Sequence, residues 1–122
     1  MRLGFLGDGQ LARAARALLV DAPIDTIAIG RGEVVPHDLD LLVETATQQA
    51  ARDEIPAVIA RGQDVLLLSV GALVDADLRD ELSAGPGRLM VCTGAVGGLD
   101  QVRALRVDGP LTDVWIESRK LP

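Results

Sequence analysis

Along the first half of the chain, short apolar runs alternate with stretches in which apolar residues recur at helical spacing. Residues 2–6 predict a first strand, and the apolar positions between residues 11 and 19 predict a helix behind it. Pro23 ends that helix because proline cannot continue it, and residues 24–29, rich in β-branched side chains, predict a second strand. A third strand is predicted at residues 39–44, although the connection before it is too short for a full crossover helix.

The same alternation continues through the second half of the chain. A helix is predicted over residues 47–61, with a kink or a late start at Pro56, since proline costs about 3 kcal/mol inside a helix. Residues 64–70 are apolar at nearly every position, which is typical of a central parallel strand covered on both faces. The remaining predicted elements are a helix capped by Asp75, a strand at residues 88–92, a short helix near residues 99–105 and a strand at residues 112–117.

This order of elements predicts an α/β fold of the Rossmann type, which is an open and mostly parallel sheet with helices on both faces. Right-handed crossovers are expected between its parallel strands. With 122 residues, the chain is expected to form a single domain over residues 1–117. Residues 118–122 follow the last predicted strand directly, and we expect them to begin the connection to a second, catalytic domain that the sequence does not contain.

Composition and charge exclude several classes of function. The 12 Lys and Arg residues against 18 Asp and Glu residues give a formal net charge of −6, which disfavours a nucleic-acid partner and an electrostatic membrane anchor. The apolar runs are far shorter than the roughly 18 residues of a transmembrane helix, and no signal-peptide pattern precedes the first strand. Cys92 is the single cysteine, so neither an internal disulfide nor a structural zinc site is expected. We therefore predict a cytoplasmic protein without a metal site.

The first predicted turn between strand and helix fits the dinucleotide-binding pattern G-x-G-x-x-A at residues 7–12. Gly7 permits the tight turn, and Gly9 allows the backbone to approach a pyrophosphate. The phosphates would lie on the unpaired N–H groups of the helix that starts near Gln10 and Leu11. An ordinary glycine turn is the alternative interpretation. The position of the motif in the first β-α turn of such a fold favours a cofactor-binding site.

The end of the second predicted strand bears on the choice of cofactor. An acidic residue that binds the ribose 2′-hydroxyl of NAD is usual there, but this chain has Gly30, followed by Arg31. The Arg31 guanidinium can pair with the 2′-phosphate of NADP, so we favour NADP, or the use of both cofactors, over NAD alone. In the alternative interpretation Arg31 is a solvated charge and Glu33 bends back to the ribose.

Small and hydroxylic residues follow the third and fourth predicted strands. The ligand crevice of an open parallel sheet lies outside the carboxyl ends of its strands, where Thr45, Ala46 and Ser69 are expected. Such residues contribute hydrogen bonds without filling the space, and Glu44 could orient one of its neighbours. The alternative is that the threonines, Thr45 and Thr47, cap the following helix.

Residues 93–100, Thr-Gly-Ala-Val-Gly-Gly-Leu-Asp, form the most distinctive segment of the chain. Together with the first glycine turn and residues 43–46 and 69–75, this segment resembles the amino-terminal, dinucleotide-binding half of the L-aspartate dehydrogenase family. The likeness extends over essentially the whole chain. The glycine run at residues 94–100 is specific to the family, whereas the first turn is shared by many dehydrogenases.

The resemblance implies reversible, NAD(P)-dependent oxidation of L-aspartate through iminoaspartate to oxaloacetate and ammonia, which in some members supplies NAD biosynthesis. It implies that Gly7, Gly9 and Gln10 hold the pyrophosphate and that Ala95 and Val96 lie near the nicotinamide. The catalytic histidine of the family belongs to the second domain, so no catalytic residue is expected here and the segment alone is expected to be inactive. The partners implied are the dinucleotide and a small dicarboxylic amino acid, with a homo-oligomer expected for the full-length form.

Two other functions remain as alternatives at this point. The same domain could belong to another amino- or hydroxy-acid dehydrogenase, such as a homoserine dehydrogenase-like enzyme. It could also be a non-catalytic module that senses a dinucleotide, which would need an output surface such as a basic DNA-binding domain. The acidic composition shows no basic domain of that kind.

Overall fold

The computed structural model describes residues 1–93 together with Asp113, Trp115 and Glu117. The described strands are β1 (Arg2–Leu6), β2 (Asp25–Ile29), β3 (Leu41–Glu44), β4 (Val65–Leu67) and β5 (Leu89–Val91). The described helices are α1 (Gln10–Leu18), α2 (Gln48–Ala60) and α3 (Ala76–Ala84), with a 3-10 helix at Val70–Val74. None of the helices within these residues is long and apolar enough to cross a membrane.

All five strands pair in parallel, in the order β2-β1-β3-β4-β5. Leu6 pairs with both Ile29 and Glu44, and Leu67 pairs with both Glu44 and Val91. The carboxyl ends of the five strands therefore form one row, from which the following loops leave at the same level. This arrangement confirms the predicted α/β fold of the Rossmann type.

Helices cover both faces of the sheet, as the sequence predicts. On one face, Phe5 and Val43 pack with Ala12 of α1. On the other face, α2 and α3 contribute their apolar sides to the larger core. Its largest fully buried apolar side chains are Leu42, Ile55, Val58, Ile59, Val65, Leu67 and Leu82.

The connection between β2 and β3 crosses β1 without a helix. Val35 and Leu39 in this connection are 4% and 6% exposed and pack into the larger core. Two buried side chains thus take the place of a crossover helix. Gly4 of β1 makes this possible, because a Cβ at that position would overlap the Leu39 side chain.

Two predictions about element boundaries are wrong. The predicted strand at residues 64–70 is limited to Val65–Leu67, because its neighbours β3 and β5 end level with Leu67; the last bond to β3 runs from the Leu68 N–H to the Glu44 carbonyl at 3.3 Å. Of the kink or late start predicted at Pro56, the late start is wrong, since α2 begins at Gln48 and continues through Pro56, while the kink stays a prediction. The Thr47 hydroxyl caps that beginning by accepting the Ala50 N–H at 3.1 Å. The predicted helix near residues 99–105, the sixth strand and the domain boundary at residue 117 stay predictions, because most or all of these residues lie outside the described part.

Candidate functional site

The first glycine turn leads from β1 into α1. Gly7 has a φ of +100°, which favours glycine strongly, and its N–H donates to the Ile29 carbonyl at 2.9 Å. A Cβ on Gly7 would lie 3.1 Å from both Cα and Cβ of Ala46, so the loop after β3 packs directly against this turn. The turn therefore requires glycine for its conformation and for its packing.

The amino-terminal end of α1 is open to a ligand. Gly9 is its N-cap residue, with extended backbone angles, no side-chain capping bond and no acidic residue in the first turn. The first amides of a helix have no intrahelical acceptor and carry a partial positive charge. A Cβ on Gly9 would meet nothing within 4 Å, and the nearby Leu11 side chain is 56% exposed. An anion can therefore approach the backbone at Gly9 without displacing any described side chain.

Asp8 lies between the two glycines of the turn, where its negative charge would oppose an anion. Its carboxylate accepts a hydrogen bond from Arg13 at 3.0 Å and lies 3.9 Å from Arg16. The hydrogen bond from Arg13 lowers the pKa of Asp8 below its ordinary value and raises the pKa of Arg13. Two arginines of α1 thus offset the charge of the carboxylate in the turn.

A cavity of about 580 Å³ lies at the carboxyl ends of β1, β2 and β3. Its wall is formed by residues 6–9, 29–32 and 45–47 and by one side of α2. Five predicted site residues line it together: Gly7, Gly9, Arg31, Thr45 and Ala46.

Of the other predicted site residues, those that the structure describes do not line this cavity. Gln10 and Leu11 begin α1 next to it, and Ser69 follows β4 two strands away from β1. Ala95 and Val96 lie outside the described residues. His37, which we expected to be remote, is exposed in the connection that enters β3 from the opposite end of the sheet.

One side of α2 forms a part of the cavity wall that was not predicted from the sequence. Gln49, Ala50, Asp53 and Glu54 line the cavity, and the Gln49 side chain donates to Asp53 at 2.8 Å. Their spacing of three to four residues, beginning directly after β3, is the signal that indicates a common helix face. Two carboxylates therefore border the site opposite the glycine turn.

The turn after β2 contains Arg31 and Glu33, the two side chains predicted to bear on the 2′ position of a dinucleotide. The Glu33 carboxylate accepts the Gly30 N–H at 2.7 Å, and a Cβ on Gly30 would lie 3.4 Å from one of its oxygens. Glu33 thus brings a carboxylate to the place where residue 30 lacks a side chain. Arg31 is exposed and lines the cavity from the same turn.

Thr45 and Glu44 anchor the loop after β3. The N–H and the hydroxyl of Thr45 both donate to the Leu6 carbonyl at 3.0 Å, so Thr45 ties this loop to β1, while Thr47 is the helix cap. The fully buried Glu44 carboxyl group accepts the Ala46 N–H at 2.8 Å and bonds to Ser69 after β4. These bonds fix the relative positions of the loops after β1, β3 and β4.

Comparison with known proteins gives the family to which the chain belongs. Residues 3–85 match the family described as the NAD binding domain of homoserine dehydrogenase. The chain is 35% identical, over an alignment of 127 residues, to L-aspartate dehydrogenase of Methanothermobacter thermautotrophicus, which covers 100% of this chain and 48% of that protein. It is 34% identical over 118 residues to L-aspartate dehydrogenase of Serratia proteamaculans, covering 92% and 44% of the two chains. The chain thus spans about half the length of these curated relatives.

A solved structure of aspartate dehydrogenase from Thermotoga maritima superimposes on the chain with a TM-score of 0.69. The sequences are 23% identical, and the match covers 88% of this chain and 52% of that one, which supports the Rossmann-type fold. The resemblance to the L-aspartate dehydrogenase family, predicted from the glycine-rich segments, is confirmed. The two alternative functions are not favoured. The chain is an NAD-binding domain that belongs to the family of the homoserine dehydrogenase NAD-binding domain and is homologous to the L-aspartate dehydrogenases.

Proposed function

We propose that this chain is the dinucleotide-binding domain of an L-aspartate dehydrogenase. The observation that carries the proposal is the uncapped start of α1, where Gly9 leaves the backbone open at the edge of the cavity. Unpaired amides at a helix start attract a diphosphate. The two relatives compared above are both named L-aspartate dehydrogenase, which indicates the substrate. In that reaction L-aspartate loses a hydride to NAD(P)⁺ and a proton from its amino group, and water then hydrolyses the iminoaspartate to oxaloacetate and ammonia.

In this proposal the chain's own residues bind and orient the cofactor, which supplies hydride transfer when bound. The turn of Gly7 and Gly9 and the amides of Gln10 and Leu11 hold the diphosphate, and Thr45 with Ala46 forms the adjacent wall. On the nicotinamide side, the proposed contacts are Ser69, Ala95 and Val96. No residue of the chain is assigned to acid–base catalysis, so the isolated chain binds cofactor without turning over aspartate.

The choice between NAD and NADP depends on two side chains of one turn. We propose dual use, in which Arg31 pairs with the 2′-phosphate of NADP and Glu33 accepts a hydrogen bond from the 2′-hydroxyl of NAD. A carboxylate has about four acceptor positions, so the Gly30 bond leaves Glu33 capacity for a ligand. Arg31 favours NADP because it adds a charged partner to the phosphate. The cytoplasmic location and the homo-oligomeric full-length form stay predictions.

Calorimetric titration of the chain with NADPH and NADH tests this proposal. Arg31→Ala is expected to weaken NADPH binding about tenfold and to leave NADH binding within about twofold, since one charge-assisted contact is lost. Glu33→Gln is expected to weaken NADH binding selectively. Arg79→Ala, in α3 and away from the cavity, is the matched control and should change neither affinity. Unmeasurable binding of both dinucleotides by the folded chain would refute the proposed function.

A further inference from the structure

The fully buried carboxyl group of Glu44 ends the central strand of the sheet. Among the residues that the structure describes, Gln63 is the only other buried polar side chain. Burying a carboxyl group costs several kcal/mol unless hydrogen bonds compensate it. Because an apolar residue would fill this position at lower cost, the contacts of Glu44 point to a role beyond packing.

Three donors surround the Glu44 carboxyl group. Its Oε1 atom accepts the Ala46 N–H at 2.8 Å and the Ser69 hydroxyl at 2.9 Å, and its Oε2 atom accepts the Ser69 N–H at 2.7 Å. Ala46 in turn packs against Gly7. Glu44 therefore connects the end of β4 to the glycine turn through a single intervening residue.

These contacts determine what Ser69 can offer to a ligand. A serine hydroxyl has one proton and two lone pairs, and the Ser69 proton is donated to Glu44. The Ser69 N–H is also donated to Glu44, so the half-buried Ser69 side chain can only accept further hydrogen bonds. A group that binds Ser69 must therefore be a donor. A diphosphate, whose oxygens are acceptors, does not meet this requirement.

The strand order indicates which part of a dinucleotide reaches Ser69. The diphosphate belongs at the start of α1 behind β1, and the adenosine ribose at the end of β2. Because β3 and β4 lie on the other side of β1, the nicotinamide riboside half extends towards Ser69. The hydrogen-bond donors of that half are the ribose hydroxyls and the carboxamide NH₂ group.

We propose that Glu44 is a positioning residue that fixes Ser69 as a hydrogen-bond acceptor for a donor on the nicotinamide riboside half of the dinucleotide. This inference rests on the proposed function and adds to it which partner donates in the contact at Ser69. The ribose hydroxyls and the carboxamide NH₂ group are both neutral donors, and binding of a series of ligands distinguishes them.

The test titrates the chain and its variants with ADP, ADP-ribose and NADH. ADP ends at the diphosphate, ADP-ribose adds a ribose, and NADH adds the nicotinamide. Ser69→Ala is expected to lower the ratio of NADH affinity to ADP affinity about threefold to tenfold, which corresponds to one hydrogen bond. Equal losses for ADP-ribose and NADH identify the ribose hydroxyl as the donor, and a loss for NADH alone identifies the carboxamide. Either pattern supports the proposal.

Glu44→Gln tests the positioning role itself. An amide nitrogen beside Ser69 places a donor where Glu44 has only acceptors, so the Ser69 hydroxyl or its N–H loses its present partner. We expect the affinity ratio to fall as far as in Ser69→Ala and the double variant to lower it no further. Ser69→Thr keeps the hydroxyl and is expected to keep the ratio.

Gln63→Leu is the matched control for the loss of a buried polar side chain. Gln63 bonds to the carbonyls of Pro36 and Leu39 at the amino end of the sheet, so its replacement changes stability and leaves the affinity ratio unchanged. An unchanged ratio in Ser69→Ala would overturn the inference even if Glu44→Gln failed to fold. If wild type binds ADP and NADH equally, the inference fails and the diphosphate site stands. If wild type binds none of the ligands, both the inference about Ser69 and the proposed function fail.

Discussion

Replacing Gly9 by alanine separates binding from folding at the start of α1. Gly9 has a φ of −75° and a ψ of −178°, which alanine adopts without strain, and the added Cβ meets nothing within 4 Å. Alanine is a weaker N-cap than glycine but restricts the unfolded chain, so the net change in unfolding free energy should stay below about 1 kcal/mol. Dinucleotide affinity should fall much more than stability, because the methyl group occupies the space through which the diphosphate approaches the backbone.

The expected loss of affinity follows from the contacts that the methyl group prevents. A hydrogen bond to a charged group contributes about 1.5–3 kcal/mol, so losing one weakens NADH and ADP binding by about tenfold to a hundredfold. Calorimetric titration measures the affinities, and urea unfolding measures the stability. Wild-type affinity for ADP in Gly9→Ala would refute the placement of the diphosphate at this turn.

Gly7→Ala is the contrasting variant in the same turn. Its φ of +100° is unfavourable for alanine, and the added Cβ would lie 3.1 Å from the backbone of Ala46. We expect a loss of about 1–3 kcal/mol in unfolding free energy, in contrast to the small change in Gly9→Ala. Equal stability of the two variants would contradict the geometry of the turn.

Three further predictions concern stability. Gly87→Ala should cost about 3 kcal/mol in urea unfolding, because its Cβ would overlap the Gln63 carbonyl; an unchanged midpoint would contradict this packing. Thr47→Ala should cost about 1 kcal/mol by removing the α2 cap, and Thr47→Ser should restore most of it. Hydrogen bonds from Arg88 lower the pKa of Asp64, so their stabilisation is present above about pH 4 and is lost as the pH falls through that lowered pKa. Asp64→Asn should therefore flatten the acid limb of the stability profile, which thermal melts between about pH 2 and 6 would show.

The fold could be predicted from the sequence because most elements have a local signal. The β-branched run before Gly30 and the helical spacing after Gly9 each decide one element without reference to the rest of the chain. The length of β4 has no such signal. Residues 64–70 are uniformly apolar, and only the ends of the neighbouring strands limit the pairing to Val65–Leu67.

The site could be predicted only in part, for a related reason. Gly7, Gly9 and Arg31 belong to short motifs, so their place beside the cavity follows from local sequence. The Glu44–Ser69 contact joins residues 25 positions apart and depends on β3 lying beside β4, which no local pattern reports. Whether Asp53 faces the cavity depends on the orientation of α2 about its own axis. That orientation is set by the packing of the apolar side of α2 on the sheet, which no local pattern reports.

The charges around the cavity restrict where each part of a dinucleotide can bind. Asp53 and Glu54 line the wall formed by α2, so a diphosphate placed there would face two carboxylates. The start of α1 instead presents unpaired amides, and Arg13 with Arg16 offsets the remaining carboxylate in the turn. The acidic wall is suited to groups without negative charge, such as the adenine ring and the ribose hydroxyls. Among the described residues that line the cavity, Arg31 is the only cationic side chain, so a 2′-phosphate has a single favourable position, at the turn after β2.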